Sequence, residues 1–376
     1  MINQNFTKRT VPPFRADIVG SFLRPVTIRD ARSKWQSRQI TAETLRAVED
    51  EEIRKLVQKE KEAGLHGVTD GEFRRSWWHL DFMWGLDGAE KKEVKEGYHF
   101  HGIDTRAETV RLSGKIKFGD HPFLRDFRYL NNIAGNSAVA RQTIPSPAQV
   151  WVELFREGNQ AETTAVYRNR EELAADLIQA YRDAIQAFYH AGCRNLQLDD
   201  CTWGMLVDSN YRRFLSESGG DPDREAKFYA YLDSEAIQGR PNDMSVTMHV
   251  CRGNYHSAWA GSGGYEPIAE ALFGTVDVDG FYLEYDSDRA GGFEPLRFIK
   301  NQLVVLGLVT SKSPELENKE QIKRRIAEAA KLVPLDRLCL SPQCGFASTE
   351  EGNLLTEEDQ WKKLRLIREI ADEVWG

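Results

Sequence analysis

A histidine and a cysteine separated by one residue, His249-Val250-Cys251, stand at the end of an apolar run. In a β-strand, residues two apart point to the same side, so the imidazole and the thiol would face one site. Both groups are ligands for zinc, which at catalytic sites takes nitrogen, sulfur or oxygen ligands and keeps one position for substrate. By itself the pair is weak evidence, because a buried free cysteine is often only a packing residue.

Two further residues of ligand type stand near the ends of apolar runs. Glu284 follows Gly-Phe-Tyr-Leu, and Cys344 lies between Ser-Pro-Gln and Gly345. Each also has an ordinary interpretation, Glu284 as a solvent-facing carboxylate at a strand end and Cys344 as a small core residue near a turn. Ligands of one zinc ion need not be close in sequence, so a fold that gathers strand ends could bring all four residues together.

The elements that would position these side chains alternate between β-rich runs and helical patterns. Eight runs predict strands, at 16–22, 66–72, 141–147, 195–200, 245–251, 280–286, 302–310 and 337–343. Apolar residues at helical spacing predict helices at about 42–63, 170–190, 221–237, 320–332 and 357–374. This order is typical of an α/β fold, the closed (β/α)8 TIM barrel. An open doubly wound sheet is the alternative, but polar residues directly after the apolar runs favour the barrel, whose active sites lie at the carboxyl ends of the strands.

We predict that residues 1–376 form a single barrel domain with two additions. Residues 1–14, which contain Pro12-Pro13, are predicted to form an N-terminal arm. Residues 80–135, between the second and third strands, are predicted to form an insertion over the barrel mouth, with a hairpin that turns near Ser113-Gly114.

Composition and charge argue against several classes of protein. A formal charge of −8 argues against binding to nucleic acid, which requires clustered Lys and Arg. No run approaches the ~20 apolar residues that span a bilayer, and the N-terminus lacks the apolar segment of a signal peptide, so we expect a cytoplasmic protein without a membrane partner. Five cysteines favour free thiols or metal ligands over a disulfide framework, and Cys193, Cys201 and Cys339 are predicted to be interior packing thiols.

The order and setting of His249, Cys251, Glu284 and Cys344 resemble the zinc site of the cobalamin-independent methionine synthase family. Other segments resemble motifs of that family: VGSF (19–22) its I-G-S-F, DGEF (70–73) its G-E, SPAQVW (146–151) its G-P-V-T, LQLDD (196–200) its I-Q-I-D-E, and SPQCGF (341–346) its N-P-D-C-G. The resemblance is to the catalytic C-terminal barrel of the family, so the chain is similar to its single-barrel relatives. It implies that these four residues hold Zn²⁺.

The resemblance implies a zinc-dependent methyltransferase that methylates the thiol of homocysteine to form methionine, with methyltetrahydrofolate as the expected donor. Zinc would hold the substrate as a thiolate, the nucleophilic form of a group whose ordinary pKa is about 8.5. Two alternatives stay open. One is alkyl or methyl transfer to another thiol or from a corrinoid donor, and the other is a zinc-containing binding protein without catalysis.

The resemblance also assigns contacts with the amino-acid part of homocysteine. It implies that Glu72 and Asp199 bind the ammonium, with Asp199 also a catalytic candidate, and that Ser21 with N–H groups around Gly20 binds the carboxylate. Paired carboxylates compensate a buried cation, and a glycine lets the backbone approach a ligand. On the residues alone, Asp199 could be a turn feature and Glu72 an ion-pair partner of a neighbouring arginine.

Two predictions concern the methyl donor. Arg74, Trp77 and Trp78 could form its site, with the indoles stacked on a flat pterin-like ring and the guanidinium near an anionic tail. The alternative is a surface helix whose tryptophans pack under the insertion. Lys312 stands where the family has the histidine of D-I-H-S-P, so it is a candidate acid for the leaving group or a ligand for an anionic group.

Overall fold

The computed structural model describes residues 9–376, so most of the predicted N-terminal arm, residues 1–8, lies outside the described residues. The strands are β1 Gly67–Val68, β2 Asp87–Glu93, β3 His99–Phe100, β4 Ile103–Asp104, β5 Glu108–Lys117, β6 Val139–Ala140, β7 Gln142–Pro145, β8 Asn195–Asp200, β9 Ser245–Val250, β10 Gly280–Glu284, β11 Leu303–Val309 and β12 Leu338–Pro342.

The helices lie between and around these strands. They are α1 Val26–Gln36, α2 Ala42–Glu62, α3 Leu80–Trp84, α4 Pro122–Ala134, α5 Pro147–Phe155, α6 Gln160–Val166, α7 Arg170–His190, α8 Thr202–Leu206, α9 Ser209–Glu217, α10 Pro222–Ile237, α11 Glu266–Leu272, α12 Lys319–Ala329 and α13 Glu357–Trp375. Among the described residues, none of these helices is long and apolar enough to cross a membrane.

The main sheet contains six parallel strands in the order β7-β8-β9-β10-β11-β12, and β1 and β6 form a separate parallel pair. Helices connect the successive strands of the main sheet, except between β10 and β11, where two short 3-10 turns stand. All carboxyl ends of a parallel sheet meet at the same edge. The prediction of an α/β fold with a parallel sheet is confirmed.

The predicted and observed bounds agree best for the buried elements. Strand β8 and helix α7 have the predicted bounds, because β8 is buried on both faces and α7 buries one apolar face. Helix α13 begins as predicted, since the Thr356 side chain accepts from the N–H of Asp359 and the Asp359 carboxylate accepts from the N–H of Thr356.

The first predicted strand, 16–22, is reduced to a single parallel bridge between Ala16 and Leu340 of β12. The carboxylate of Asp17 explains the difference. It accepts hydrogen bonds from the N–H groups of Phe14 and Ile18, both at 2.8 Å, so these groups are not available to a strand ladder.

The second predicted strand, 66–72, is reduced to β1. The N–H of Thr69 donates to the buried Glu60 carboxylate at 3.1 Å rather than to a neighbouring strand. Gly71 and Glu72 then take left-handed conformations, with φ of 64° and 58°, which end the extended segment. The chain therefore leaves the direction of the sheet at Glu72, a residue for which the sequence predicts a substrate contact.

Residues 80–135 contain α3, α4 and two antiparallel strand pairs, β2 with β5 and β3 with β4. The predicted turn at Ser113-Gly114 is wrong, because both residues lie inside β5. Gly114 instead faces Gly88, which has a φ of 81° at the register shift of β2. The glycines therefore serve a β-bulge, which needs one left-handed residue, and not a hairpin turn.

Candidate metal centre

Strand β9 brings His249 and Cys251 to the carboxyl edge of the sheet. His249 pairs in register with Asp199 on β8 and with Tyr282 on β10. Neighbouring strands are about 4.8 Å apart, so the imidazole and the Asp199 carboxylate belong to one site. Both predicted ligands on β9 are buried, with exposed fractions of 2% for His249 and 6% for Cys251.

Glu284 is the last residue of β10 and is fully buried. One carboxylate oxygen accepts from the N–H of Arg252 at 3.0 Å, and the other accepts from the Arg289 guanidinium at 3.4 Å. The Tyr265 hydroxyl accepts from the N–H of Glu284 at 2.9 Å, which fixes the strand end. The carboxylate is thus an oriented group inside the protein and not the solvent-facing side chain of the ordinary interpretation.

Cys344 completes the cluster from the segment after β12. Its sulfur lies 3.7 Å from the sulfur of Cys251, which is far beyond the disulfide length of about 2.0 Å. Two sulfurs bound to one zinc at about 2.3 Å and a tetrahedral angle are about 3.8 Å apart. Ligand atoms of His249, Cys251, Glu284 and Cys344 all lie within 4.8 Å of one another.

The ring nitrogens of His249 test whether the cluster fits a metal ion. Both nitrogens are buried, and neither has a hydrogen-bond partner among the described residues. A buried polar atom without a partner costs about 1–3 kcal/mol, so such atoms are rare without a ligand, an ion or a water. One nitrogen, two sulfurs and one carboxylate oxygen match the ligand types of zinc, and the residues therefore fit the ion.

The surrounding protein groups raise the pKa values of the two thiols and the imidazole of this cluster. Contact with Cys251 and burial raise the pKa of the Cys344 thiol well above its ordinary value, and contact with Cys201 raises that of Cys251. Burial opposes the charged form of His249, but Cys344 and Glu284 outweigh this effect and raise its pKa. A cation in the cluster would favour the deprotonated forms of all these groups.

Cys201 is a site residue that sequence reasoning missed. It was predicted to be a packing thiol, but it lines the same cavity as Cys251 and Cys344 and contacts the Cys251 thiol. Contact with Cys251 favours the Cys201 thiolate, but burial and the nearby acidic groups Asp200, Cys344 and Glu284 together outweigh this contact and raise the pKa of Cys201. The available signal was its position directly after Asp199-Asp200, at the carboxyl end of a buried strand.

Glu72 and Asp199 lie in this cavity as predicted for an ammonium site. One oxygen of Glu72 accepts from Thr143 at 2.9 Å and from Arg75 at 3.2 Å, while its other oxygen is buried without a partner among the described residues. Asp199 accepts from Gln197 at 2.7 Å. Burial first, and then the nearby Glu72, raises the pKa of Asp199 well above its ordinary value.

Ser21 and Gly20 also lie beside the cluster. The Ser21 hydroxyl accepts a hydrogen bond from the N–H of Ala347 at 3.3 Å. The backbone carbonyl of Ser21 accepts one from the N–H of Phe346 at 2.9 Å. Gly20 has a φ of 152°, and a Cβ at this position would lie 2.9 Å from the Thr143 methyl group. The close approach of these segments requires the glycine.

The three residues predicted for the donor site do not lie together. Trp77 and Trp78 line the cavity, although Trp77 is only 2% exposed and its indole N–H donates to Glu108 at 2.6 Å. Arg74 does not reach the cavity, because its guanidinium pairs with Glu49 and Asp126 on the helical side and lies over the Tyr129 ring. Its charge is compensated there, which corrects the assignment of Arg74 to the donor.

Lys312 is likewise turned away from the cavity lining. Its ammonium donates to the carbonyl of Gly253 at 3.2 Å, the side chain of Asn254 at 2.8 Å and the carbonyl of Ala258 at 3.3 Å. An ammonium has three protons, so all of them are in use. These contacts fit a residue that holds the segment after Cys251 better than an acid that faces a leaving group.

The cavity has a volume of about 1200 Å³, and three of the four cluster residues, His249, Cys251 and Cys344, line it. Residues from the 80–135 segment form part of its wall, including Tyr98 and Phe100, and helix α9 contributes Tyr211 and Phe214. A space of this size exceeds that of a single amino acid and is sufficient for two substrates side by side.

The chain is similar to a known protein family and to several known proteins. Residues 160–373 match the family model described as cobalamin-independent synthase, catalytic domain. The uncharacterized protein YxjH of Bacillus subtilis is 51% identical over 374 residues, which cover 99% of this chain and 97% of that protein. A putative vitamin-B12 independent methionine synthase from Listeria monocytogenes, known from a crystal structure, is 42% identical with a TM-score of 0.76, over 97% of this chain and 99% of that chain.

A 5-methyltetrahydropteroyltriglutamate–homocysteine methyltransferase of Bacillus velezensis is more distant. It is 22% identical over 344 residues, which cover 91% of this chain but only 41% of that protein. The family match spans more than half of the chain, and the identities to YxjH and to the Listeria protein extend over nearly all of it. The chain therefore belongs to the cobalamin-independent methionine synthase family, a family of methyltransferases, and carries its catalytic domain.

Proposed function

We propose that this protein methylates the thiol of homocysteine to form methionine, with zinc held by His249, Cys251, Glu284 and Cys344 and with a methylated folate as donor. The observation that carries this proposal is the convergence of these four residues within 4.8 Å, beside a cavity that three of them line together with the carboxylates of Glu72 and Asp199. The family relationship supports methyl transfer as the class of reaction.

The metal supplies a Lewis acid that keeps the substrate sulfur in its nucleophilic thiolate form at neutral pH. The chain contributes the orientation of the ligands. Arg252 and Arg289 each hold one oxygen of Glu284, and the β-sheet fixes His249 between its neighbouring strands. Such partners set the direction and basicity of ligands and weaken metal binding about 10–100-fold when removed.

Glu72 and Asp199 bind the ammonium of homocysteine. Glu72 has one buried oxygen without a partner, and Asp199 lies next to His249 in the strand register, so a bound ammonium would stand beside the metal cluster. The Arg75 guanidinium, 3.2 Å from Glu72, compensates one of the two buried carboxylates, and a bound ammonium would compensate the other.

Ser21 and the backbone around Gly20 bind the carboxylate of homocysteine. The Ser21 hydroxyl can donate its proton to the substrate, because it acts as an acceptor in its hydrogen bond with the N–H of Ala347. Gly345 packs directly against Ser21, so the segment that carries Cys344 and the carboxylate site are held together.

Trp77 and Trp78 contact the donor from one side of the cavity. Lys312 acts as a positioning residue for the segment 253–258, which follows the Cys251 ligand. This segment contributes Gly253, Asn254 and Tyr255 to the cavity wall.

The parallel strands close into a single (β/α)8 barrel, and residues 80–135 form an insertion over its mouth. Hydrogen bonds beyond the six-stranded sheet support closure. Ala16 bridges to β12, the N–H of Phe22 donates to the carbonyl of Gly71 at 3.1 Å, and β1 pairs with β6, which directly precedes β7. Tyr98 and Phe100 in the cavity wall support the position of the insertion.

The proposal is tested with the purified protein, its zinc content, and methionine formation from L-homocysteine and methyltetrahydrofolate. Cys344→Ser removes a metal ligand, whereas Cys193→Ser changes a buried thiol that donates to the Asn195 carbonyl outside the cluster. We expect one zinc per chain and methionine formation in the wild type and in Cys193→Ser, and loss of both in Cys344→Ser. A metal-free wild type that forms methionine, or zinc-containing protein that forms none, would contradict the proposal.

A further inference from the structure

Methyl transfer from a folate needs a proton at the donor nitrogen, and the lysine predicted to supply it is engaged elsewhere. When a methyl group leaves an amine, the electron pair of the broken carbon–nitrogen bond stays on nitrogen, and a positioned acid assists by protonating it. The ammonium of Lys312 is held by three acceptors outside the cavity lining. Glu72 and Asp199 are assigned to the ammonium of homocysteine. The acid is therefore to be sought among the other groups that line the cavity.

A buried histidine with one unused ring nitrogen lines this cavity. His79 is 4% exposed, and its Nε2 atom lies 3.0 Å from the hydroxyl of Tyr98. Its Nδ1 atom is buried without a partner among the described residues. The imidazole is 4.6 Å from the ring of Trp78, which is proposed to contact the donor. Because buried polar atoms are seldom left without a partner, Nδ1 is available to a ligand that lies beside Trp78.

The Tyr98 hydroxyl connects His79 to a buried carboxyl group. It contacts Glu153, which is 2% exposed and also lines the cavity. The Thr109 hydroxyl donates to Oε1 of Glu153, because Thr109 itself accepts from the amide of Asn159 at 2.7 Å. Oε1 is thus an acceptor, and the other carboxyl oxygen can carry a proton.

The charge states of these groups suit the transfer of a proton along the chain Glu153–Tyr98–His79. Burial lowers the pKa of His79 from 6.5 to about 3, so the imidazole is neutral at pH 7. Burial raises the pKa of Glu153 above its ordinary value, against the opposing contacts with Thr109 and Arg156. The Arg156 guanidinium lies 3.8 Å from the carboxyl group and would stabilise the carboxylate that forms when the proton leaves.

Resting on the proposed function, we infer that Glu153, Tyr98 and His79 form a proton relay that protonates the nitrogen of the methylated folate as its methyl group leaves. The sulfur of homocysteine bonds to the methyl carbon while the carbon–nitrogen bond breaks, and the electron pair of that bond goes to nitrogen. This nitrogen takes the Nδ1 proton of His79, the Tyr98 proton passes to Nε2, and the Glu153 proton passes to the Tyr98 oxygen. Glu153 becomes a carboxylate and regains its proton from solvent before the next turnover.

Two variants interrupt the relay without changing its shape much. Glu153→Gln removes the acidic proton, and Tyr98→Phe removes the hydroxyl between the carboxyl group and the imidazole. We expect each to lower kcat for methionine formation from methyltetrahydrofolate about 100-fold, while zinc content and the KM for homocysteine stay within about threefold of the wild type. Tyr231→Phe, at a half-exposed tyrosine outside the cavity lining, is the matched control and should change none of these. A kcat within about threefold of the wild type in either relay variant overturns the inference.

The pH dependence of kcat separates an acid from a packing residue. The relay needs a protonated Glu153, so kcat of the wild type should fall as the pH rises through the pKa of this carboxyl group. Thr109 and Arg156 face the carboxyl group from neighbouring segments, and neither titrates near neutral pH. This alkaline limb should therefore be absent in Glu153→Gln, and a limb that persists unchanged there overturns the inference.

A methyl donor that needs no proton completes the test. Methyl iodide loses iodide as a stable anion, so in a single turnover it should methylate bound homocysteine equally fast in the zinc-containing wild type, Glu153→Gln and Tyr98→Phe. Equal losses with methyl iodide and with methyltetrahydrofolate would instead indicate damage to the thiol site and overturn the relay. A wild type that forms no methionine from methyltetrahydrofolate overturns the proposed function and the relay with it, whereas an active wild type with fully active variants rejects the relay alone.

Discussion

The proposed ammonium site predicts that Glu72 and Asp199 each keep a carboxylate oxygen for the substrate. One oxygen of Glu72 is held by Thr143 at 2.9 Å and Arg75 at 3.2 Å, and the other is buried without a partner among the described residues. Asp199 is held by Gln197 through one oxygen, at 2.7 Å. Glu72→Gln and Asp199→Asn should therefore remove one charged contact each and leave the cavity shape nearly unchanged.

The size of the effect follows from the value of a single charged hydrogen bond. Such a bond contributes about 1.5–3 kcal/mol, and about 2 kcal/mol corresponds to roughly a 30-fold change in an equilibrium constant. We expect kcat/KM for homocysteine to fall about 30-fold in Glu72→Gln and in Asp199→Asn. The analogue 4-mercaptobutanoate, which lacks the ammonium, should already react poorly with the wild type and should lose little more in either variant.

The assay is kcat/KM for both thiols with the wild type and both variants, together with zinc content and thermal unfolding to exclude a general defect. Asp104→Asn, at an exposed carboxylate on β4, is the control. If homocysteine and 4-mercaptobutanoate lose the same factor in the variants, the two carboxylates do not recognise the ammonium, and this assignment is refuted.

Three further predictions concern residues around the site. Burial lowers the pKa of His121 from 6.5 to about 4, so its stabilising contribution is complete above pH 6.5 and is lost as the pH falls toward 4. In urea unfolding, His121→Asn should remove about 2 kcal/mol of the stability difference between pH 7 and 4.5, and an unchanged difference would contradict this. In Gly345→Ala the added Cβ would overlap the Ser21 hydroxyl, so the melting temperature should fall and should recover in the Gly345→Ala/Ser21→Ala double variant, whereas an additive loss would contradict the clash. Lys312→Gln should lower the melting temperature and raise the KM for homocysteine, because all three protons of Lys312 are used in holding the segment after Cys251. The alkaline limb of the pH profile of kcat should not move. A shifted limb would instead indicate that Lys312 acts as an acid.

The sequence predicted the buried half of the fold best. Strands β8 to β12 are enclosed on both faces, so their apolar runs mark their bounds within about two residues. The first two strands were predicted too long, because the Asp17 and Glu60 side chains accept hydrogen bonds from backbone N–H groups that a ladder would use. Local periodicity does not report such long-range side-chain contacts.

The predictions for the candidate site likewise agree with the structure only in part. The predicted ligands converge because each stands at the carboxyl end of a parallel strand, and strand order alone brings those ends together. Arg74 was placed by its nearness in sequence to Glu72, and Lys312 because it stands where the family has a histidine. Ion pairs of Arg74 and carbonyl contacts of Lys312 hold both away from the cavity. Cys201 was missed because the residue it contacts, Cys251, is distant in sequence and is brought near only by the fold.

The most direct test of the central claim is X-ray absorption at the zinc edge, measured on the purified protein before and after addition of L-homocysteine. The account predicts two sulfur ligands from Cys251 and Cys344 in the free protein and a third sulfur when homocysteine is present, with zinc–sulfur distances near 2.3 Å. The Asp104→Asn control should give the same result. A zinc environment that is unchanged by homocysteine, or a protein that holds no zinc, would contradict the claim that this cluster binds the substrate thiol.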